Sequence, residues 1–544
     1  SCCCAGSAGG RNFIHPGKLL ARACTSSAAV PGSSSFPPYD ADDAEAMVRA
    51  FPEADRALAL RCYTSRLIGS RRDLVLHGGG NTSVKLDVRN RVGESVRVLA
   101  VKGSGYNLDA IVPRGFPRVD LAHLHKLLRL ETLTDVEMVN ELRTHMLDSS
   151  SPNPSVESLL HALIPATFVD HSHADAVVAL ADLGDRSEGV LRQAFARTGL
   201  KLGIVPYAMP GIALSVVCAR AYRANPDIDA IVLLQHGLVT WGPTAQASYE
   251  MHVRCVDIAR DYIARRQAAL TSPVLTPRMT IGNRFDATTR RAFLATLRGA
   301  LSQLSHSSWI VRHRPSTVVE EFVASNECAR LSQIGTITPD HVIRTKAFPC
   351  LVGGGVPGLD ADGGGTTSLR AHILAALSAY ADAYHAYFER NNRRVGGGMV
   401  ELDRLPRVLL VEGLGLVTVG SSVKACDIAA DIYEQTVPVI CAAAGIAEYR
   451  PVSEADLFDC EYWELEQRKL KLGKKSPGPL DGQVCYITGG ASGMGLATAR
   501  LFAKKGCNVF VVDVRQDRVD DVLSGSGGGG GGGPAGSTVL QRGV

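Results

Sequence analysis

Apolar residues spaced three and four apart recur through "DDAEAMVRAFPEADRALALRCYTSRLIGS" (42–70), the pattern of one helix face, and predict a helix there. Beyond it the pattern changes to short apolar runs broken by glycine. "LVLHGGGNTSVKLDV" reads as strand, glycine loop and strand, and "VRVLAVKGSGYNL" as a strand ending in a glycine turn. "NPSVESLLHALIP" (153–165) predicts a helix opened by Ser155 as its cap. "FVDHSHADAVVAL" (168–180) is β-branched and apolar enough to read as a buried strand. A helix "ALSVVCARAYRA", a strand "AIVLLQHGLVTWG" and a long helix "TAQASYEMHVRCVDIARDYIARR" follow. The alternation predicts an α/β module over 39–270.

"TSPVLTPR" (271–278) has the composition of a linker, and a second α/β segment follows to residue 476. Within it "LPRVLLVEGLGLVTVGSSVKACDIAADIYEQTV" echoes "IDAIVLLQHGLVTWGPTAQASYEMHVRCVDIA". The shared core is G-L-V-T-x-G, at 237–242 and again at 415–420, in both copies between a strand and a helix. The echo is short enough to be a coincidence of pattern. If it is a degenerate repeat, Leu414 stands where the first copy has His236. A third segment, "DGQVCYITGGASGMGLATARLFAKKGCNVFVVDV" (481–514), reads as strand, glycine turn, helix and strand within 477–523. The run "SGSGGGGGGGPAGS" in 524–544 is low-complexity and builds no core.

Composition narrows the partners. A hydrophobic share of 45% with 21% charge is that of a globular protein, and a net charge of +4 with no basic run interleaved with aromatics gives nucleic acid no footing. No apolar stretch is long enough to predict a membrane span. The 14 cysteines lack paired C-x-x-C spacing, which suits free thiols in a reducing compartment. Residues 1–38 hold no Asp or Glu but carry Arg11, Lys18 and Arg22 among many Ser and Ala. That is the composition of an organelle transit peptide, and equally of a disordered leader, so the expected place is the cytoplasm or an organelle matrix.

Two histidines in an apolar stretch ask for a reason. In a strand His171 and His173 point to one face, so both imidazoles aim at one place. His236 ends another apolar run and supplies a third. Three imidazoles leave a tetrahedral metal one open position, the arrangement of a catalytic zinc site, where the ion acts as a Lewis acid. Glu157, ahead of the histidine strand, is the candidate general base. H-x-H also occurs as a plain structural pattern, and His123, His125, His145 and His161 show that histidine is common here. His161, four residues after Glu157, reads as a supporting or packing residue, and Lys85 and Lys102 as solvated lysines.

"GGGNTSVK" (78–85), "KGSG" (102–105), "PSVESLLH" (154–161), "DHSH" (170–173), "VPYAMPG" (205–211) and "LLQHGLVTWG" (233–242), in that order, resemble the class II aldolase/adducin family. With "TPDHVIRTK" (338–346) the chain is similar, within that family, to bifunctional rhamnulose-1-phosphate aldolase/short-chain dehydrogenases. The resemblance implies zinc on His171, His173 and His236, and a catalytic carboxylate at Glu157. It implies phosphate contacts from Asn81, Ser83, Ser104, Gly105 and Ser155. It also implies a proton-donating Tyr207 that serves a neighbouring subunit's site, hence a homo-oligomer, a tetramer in relatives. Glycine turns let backbone N–H groups approach a phosphate, which fits a sugar-phosphate substrate.

"TGGASGMG" (488–495) fits T-G-x-x-x-G-x-G and resembles short-chain dehydrogenases. Gly489, Gly493 and Gly495 would admit a pyrophosphate at a helix N-terminus, and Asp513 would bind a ribose hydroxyl and select NAD. No Tyr-x-x-x-Lys follows residue 481, so the expectation is a truncated dehydrogenase segment without that activity. Three readings of the whole stay open: a zinc-dependent aldolase on a deoxyketose 1-phosphate, a pentulose-phosphate epimerase with the same zinc site, and a non-catalytic adducin-like protein.

Overall fold

The computed structural model describes residues 36–130, 132–270, 274–277, 285–353, 364–465, 467, 478–524 and 539–540. Residues 1–35 of the leader, half of the linker at 271–278 and most of the glycine-rich tail lie outside the described residues.

The first unit is a mixed seven-stranded sheet covered by helices. Its helix α1 (Arg56–Gly69) precedes strands β1 (Asn81–Arg89), β2 (Ser95–Val101) and β3 (Arg118–Asp120). Helix α2 (Ser158–Leu163), β4 (Phe168–Ser172) and α3 (Asp175–Ala181) follow. Strands β5 (Leu202–Val205), β6 (Ala230–Leu233) and β7 (Gly237–Gly242) then lead into α4 (Ala245–Ala268). The strand order is β3-β2-β1-β4-β7-β6-β5, with β5 and β6 parallel and the other pairs antiparallel. Strand β4, which carries His171, is therefore central, with all five residues buried.

The histidine strand is anchored from its far face. Because side chains alternate, Asp170 and Ser172 point away from His171. Asp170 is fully buried with Arg61 of α1 at 2.6 Å, and Ser248 of α4 donates to its other oxygen. Ser172 Oγ bonds His252 Nε2 at 2.7 Å, and the other nitrogen of that ring meets Thr240 of β7 at 2.8 Å. These buried polar groups are paired with one another, which avoids the cost of leaving them unsatisfied.

Local structure departs from the sequence expectation at three places. The helix expected over 42–70 is two helices, Ala41–Ala50 and α1, parted at Phe51–Pro52. Proline lacks the N–H a helix needs and disfavours helical geometry before it; Asp55 then caps α1 by accepting from Ala57 N. The helix expected from Ser155 begins at Ser158, with Ser155 Oγ bound to Glu157 N outside it. The strand expected over 168–180 stops at Ser172, and "DAVVALA" is helix α3, buried over its last five residues. His173 thus stands just past the strand end rather than within the strand.

The second unit repeats part of the first. Strand β8 (Ile310–Arg314), helix α5 (Thr317–Val323), β9 (Cys350–Val352), β10 (Val408–Val411), β11 (Gly415–Gly420) and α6 (Val423–Ala444) give a sheet ordered β8-β11-β10-β9. That is the order β4-β7-β6-β5 over again, parallel only at the last pair. Helix α6 packs on α3 and α5, and both units share one apolar core.

In the third unit, β12 (Val484–Thr488), α7 (Gly493–Lys504) and β13 (Asn508–Val512) form a parallel βαβ piece beside β14 (Val539–Leu540). No described helix is long and apolar enough to cross a membrane.

Candidate metal centre

The rings of His171, His173 and His236 stand at the corners of a nearly equilateral triangle, with centroids 5.1, 5.0 and 5.0 Å apart. One nitrogen from each lies close enough to the others for all three to hold one ion. His171 comes from β4 and His173 from the bend after it. His236 comes from the tight turn between β6 and β7, where Gln235 takes a positive φ of 58° and His236 N donates to Leu233 O. Gly237 follows because the turn lies against β4: a Cβ there would meet Ser172 O at 2.3 Å.

Two ring nitrogens have nothing to bond. Nδ1 of His171 donates to Leu238 O at 3.0 Å, which leaves Nε2 facing inward, buried and without a hydrogen-bond partner. Nδ1 of His236 is likewise buried and unpartnered. A bound ion removes the penalty on the orphaned His171 Nε2, and three convergent imidazoles fit a divalent metal of the zinc type. Burial pushes both groups down, His236 to about 3, toward the neutral imidazole that a metal requires, although Glu157 pulls each the other way.

Glu157, buried at the start of α2, faces the same centre. Its carboxylate oxygens lie 3.3 Å from His236 Nε2 and 3.6 Å from His171 Nε2. Two ligand atoms on a tetrahedral zinc stand about 3.3 Å apart, so the carboxylate sits where either a fourth ligand or a base would be. Burial alone would raise its pKa, but His171, His236 and the Asn81 amide outweigh burial and hold it at about 2.

A polar chain orients that carboxylate. Asn81 Nδ2 donates to Glu157 and, at 3.2 Å, to Ser155 Oγ, while its carbonyl oxygen bonds His161 Nε2. The other nitrogen of His161 meets Ser83 Oγ at 2.8 Å. His161 is fully buried and holds Asn81 in place, the supporting role expected of it. Ser83 is fully buried, and its hydroxyl is bonded to His161. The lysines are a correction. Lys85 Nζ donates to His161 O at 3.0 Å and Ala166 O at 2.9 Å, and burial pushes its pKa down to about 7. Lys102 Nζ ties down the glycine loop through Gly78 O at 2.6 Å and Gly80 O at 2.8 Å. Both are buried rather than solvated.

Three loops meet beside the histidines. Lys102 N donates to Thr82 O, Ser155 N to Lys102 O and Ser104 N to Asn153 O. Ser104 and Ser155 are half-buried and Gly78 and Gly105 exposed, so these positions remain open to a ligand. Gly80 needs to be glycine on two counts, a φ of +61° and a Cβ that would strike His171 O at 2.7 Å. Tyr207 packs against the core of the second unit. Burial and the charges of Asp456 and Asp459 hold its phenol well above the usual range, and the charge of Asp340 reaches it as well.

The residue that sequence reasoning missed is Asp340. Its Oδ1 is 3.3 Å from His173 Nδ1, close enough that, although burial pulls that imidazole down, Asp340 more than offsets it and the net shift is upward. "TPDHVIRTK" pointed to this stretch, but nothing in its spacing ties it to a histidine 167 positions earlier.

In the third unit, Gly489 and Gly493 have positive φ, and a Cβ on Gly495 would meet Gly489 O at 2.1 Å. Asp513 directly follows β13 and accepts from Ala491 N at 3.1 Å, bringing the acid against the glycine turn.

Parts of the chain are similar to known proteins. Residues 59–263 match the family model described as Class II Aldolase and Adducin N-terminal domain, and 288–470 the one described as Aldolase class II, second domain. Residues 483–529 match the short chain dehydrogenase model. A Bacillus subtilis (strain 168) protein described as uncharacterized oxidoreductase YuxG is 31% identical over 481 residues, 86% of this chain and 67% of that protein. Among solved structures, the N-terminal class II aldolase domain of a conserved Thermoplasma acidophilum protein is 35% identical, covering 43% of this chain and all of that one, with a TM-score of 0.36. The l-fuculose-1-phosphate aldolase of Thermus thermophilus is 16% identical over 40% of this chain and 98% of that one, with a TM-score of 0.26.

Proposed function

The chain belongs to the class II aldolase and adducin family, and from that premise we propose that it cleaves a deoxyketose 1-phosphate, rhamnulose 1-phosphate foremost, to dihydroxyacetone phosphate and lactaldehyde. The observation that carries this reading is the triangle of His171, His173 and His236 with the orphaned His171 Nε2 facing in, closed by an ionised Glu157. Zinc held by the three histidines would supply a Lewis acid for the C2 carbonyl and C3 hydroxyl oxygens of the sugar.

The chain's own residues do the rest. Glu157 takes the proton from the C4 hydroxyl as the C3–C4 bond breaks; the electron pair stays on C3 and C4 becomes the aldehyde carbon. Asn81 and His161 keep the carboxylate turned toward that proton. Backbone N–H groups of the glycine turns, with Ser104, Gly105 and Ser155, take the phosphate, and Asn81 reaches the same corner through Ser155. A proton returned to C3 completes dihydroxyacetone phosphate. In the third unit, Gly489, Gly493, Gly495 and Asp513 would hold NAD only as part of a complete dehydrogenase domain, where it would supply an oxidant for lactaldehyde.

The test is dihydroxyacetone phosphate release from rhamnulose 1-phosphate by the full chain, beside Glu157→Gln. Release that falls by about a hundredfold or more in the variant is expected for loss of a general base. Zinc-loaded protein that releases nothing, yet interconverts pentulose phosphates, would overturn the reading in favour of the epimerase.

A further inference from the structure

The imidazoles of the metal centre are not steadied in the same way. His171 is set from within the first unit, by Leu238 O of the adjoining strand. His173 has left the strand, and the group facing its Nδ1 is Asp340, which belongs to the second unit. Asp340 sits in a one-turn helix, Pro339–His341, where proline fixes the entry. Its Oδ1 is buried, lacks a hydrogen-bond partner and lies 3.3 Å from the ring. The glycine loop closes over the pair: a Cβ on Gly79 would lie 3.5 Å from His173 Nδ1 and 3.7 Å from Asp340 Oδ2.

Two further contacts from the second unit reach the segments that carry the site. Gln235, next to His236, donates to Pro451 O at 2.8 Å and Arg450 O at 3.2 Å. His77, at the start of the glycine loop, bonds Asp431 at 2.9 Å, and Arg314 holds the other oxygen of that carboxylate at 3.2 Å. The second unit thus touches a metal-ligand candidate, the turn of another, and the loop beside them.

We propose that Asp340 is a positioning residue for the metal centre: its carboxylate accepts the Nδ1 proton of His173 and fixes that ring with Nε2 toward the ion. Metal affinity in the first unit then depends on the second unit being docked. The inference rests on the metal reading above and adds to it the residue that orients one ligand. A carboxylate behind a metal-bound imidazole fixes its tautomer and angle, and removing such a partner typically weakens metal binding about 10–100-fold.

The experiment uses the full chain stripped of metal and titrated with zinc against a chromogenic chelator. Wild type, Asp340→Asn, Asp340→Glu and His236→Leu are compared, with metal-free melting recorded for each. Asp340→Asn is expected to bind zinc about 10–100-fold more weakly than wild type while melting near it without metal, with Asp340→Glu regaining part of the affinity. Should Asp340→Asn fail to fold, Asp340→Ala is read in its place. Wild-type affinity in Asp340→Asn, with binding lost in His236→Leu, would overturn the proposal and leave the metal reading intact. A variant that only melts earlier and binds zinc as wild type does would overturn it as well. A wild type that takes up no zinc would overturn the metal reading and the proposal together.

Discussion

The hairpin β6–β7 with helix α4 and the hairpin β10–β11 with helix α6 are one design used twice. In each, a residue of positive φ (Gln235, Gly413) precedes the turn position, whose N–H donates to the last residue of the first strand (Leu233, Val411). A G-L-V-T-x-G strand follows, then a helix capped by a hydroxyl, Thr244 or Ser422. The partner strands keep the register too. His171 faces Val239 across the ladder, and His313 faces Val417 at the matching place. The second copy therefore keeps one histidine of three: Pro315 stands in the place of His173 and Leu414 in that of His236. His313 spends its Nε2 on Leu414 O, and Leu414 is buried in the second unit's core. The backbone tolerates either outcome, so two positions separate the copies, His173 and His236 against Pro315 and Leu414, and the second copy places a carboxylate, Asp340, beside the first copy's His173.

The largest expected effect tests what the first copy needs in order to hold histidines in a core strand. Arg61→Met leaves the Asp170 carboxylate buried without its cation, and should cost about 3–5 kcal/mol in denaturant unfolding. Less than about 1 kcal/mol would mean that Ser248 alone satisfies Asp170. Next, Leu414→His restores a histidine to the second copy while Pro315 still blocks the third position. It should destabilise by about 1–3 kcal/mol through an unsatisfied buried imidazole, and add no zinc to the count per chain. A second equivalent of zinc would show that two histidines suffice on this scaffold.

The smallest effect is a pH slope. Lys85 has a folded pKa of about 7, while an unfolded lysine titrates near 10.4, so the unfolded chain binds more protons between those values. The stability Lys85 contributes is complete above the unfolded value and is lost as pH falls through the folded one. The melting temperature of wild type relative to Lys85→Met should therefore rise from pH 7 toward pH 10. A flat difference would mean that Lys85 keeps its charge in the folded chain.

The candidate ligands were legible in the sequence because each stands in or beside an apolar run, two of them two residues apart and the third just before Gly237. Glu157 was legible through its place ahead of the strand. What escaped were contacts set by tertiary packing. Lys85 and Lys102 look solvated in sequence because lysine seldom goes under, and only the carbonyls that converge on them make burial tolerable. The end of β4 at Ser172 was hidden because "ADAVVALA" is apolar enough for a buried strand or a buried helix. The repeat was visible only as G-L-V-T-x-G; its extent to β8 and α5 emerged from strand order and register.

The most direct test of the central claim is the zinc content of the purified full chain, wild type beside His236→Leu, which writes the second copy's residue into the first. About one zinc per wild-type chain and a near-complete loss in the variant are predicted for a centre built on three imidazoles. Equal zinc in both, or none in either, would contradict it.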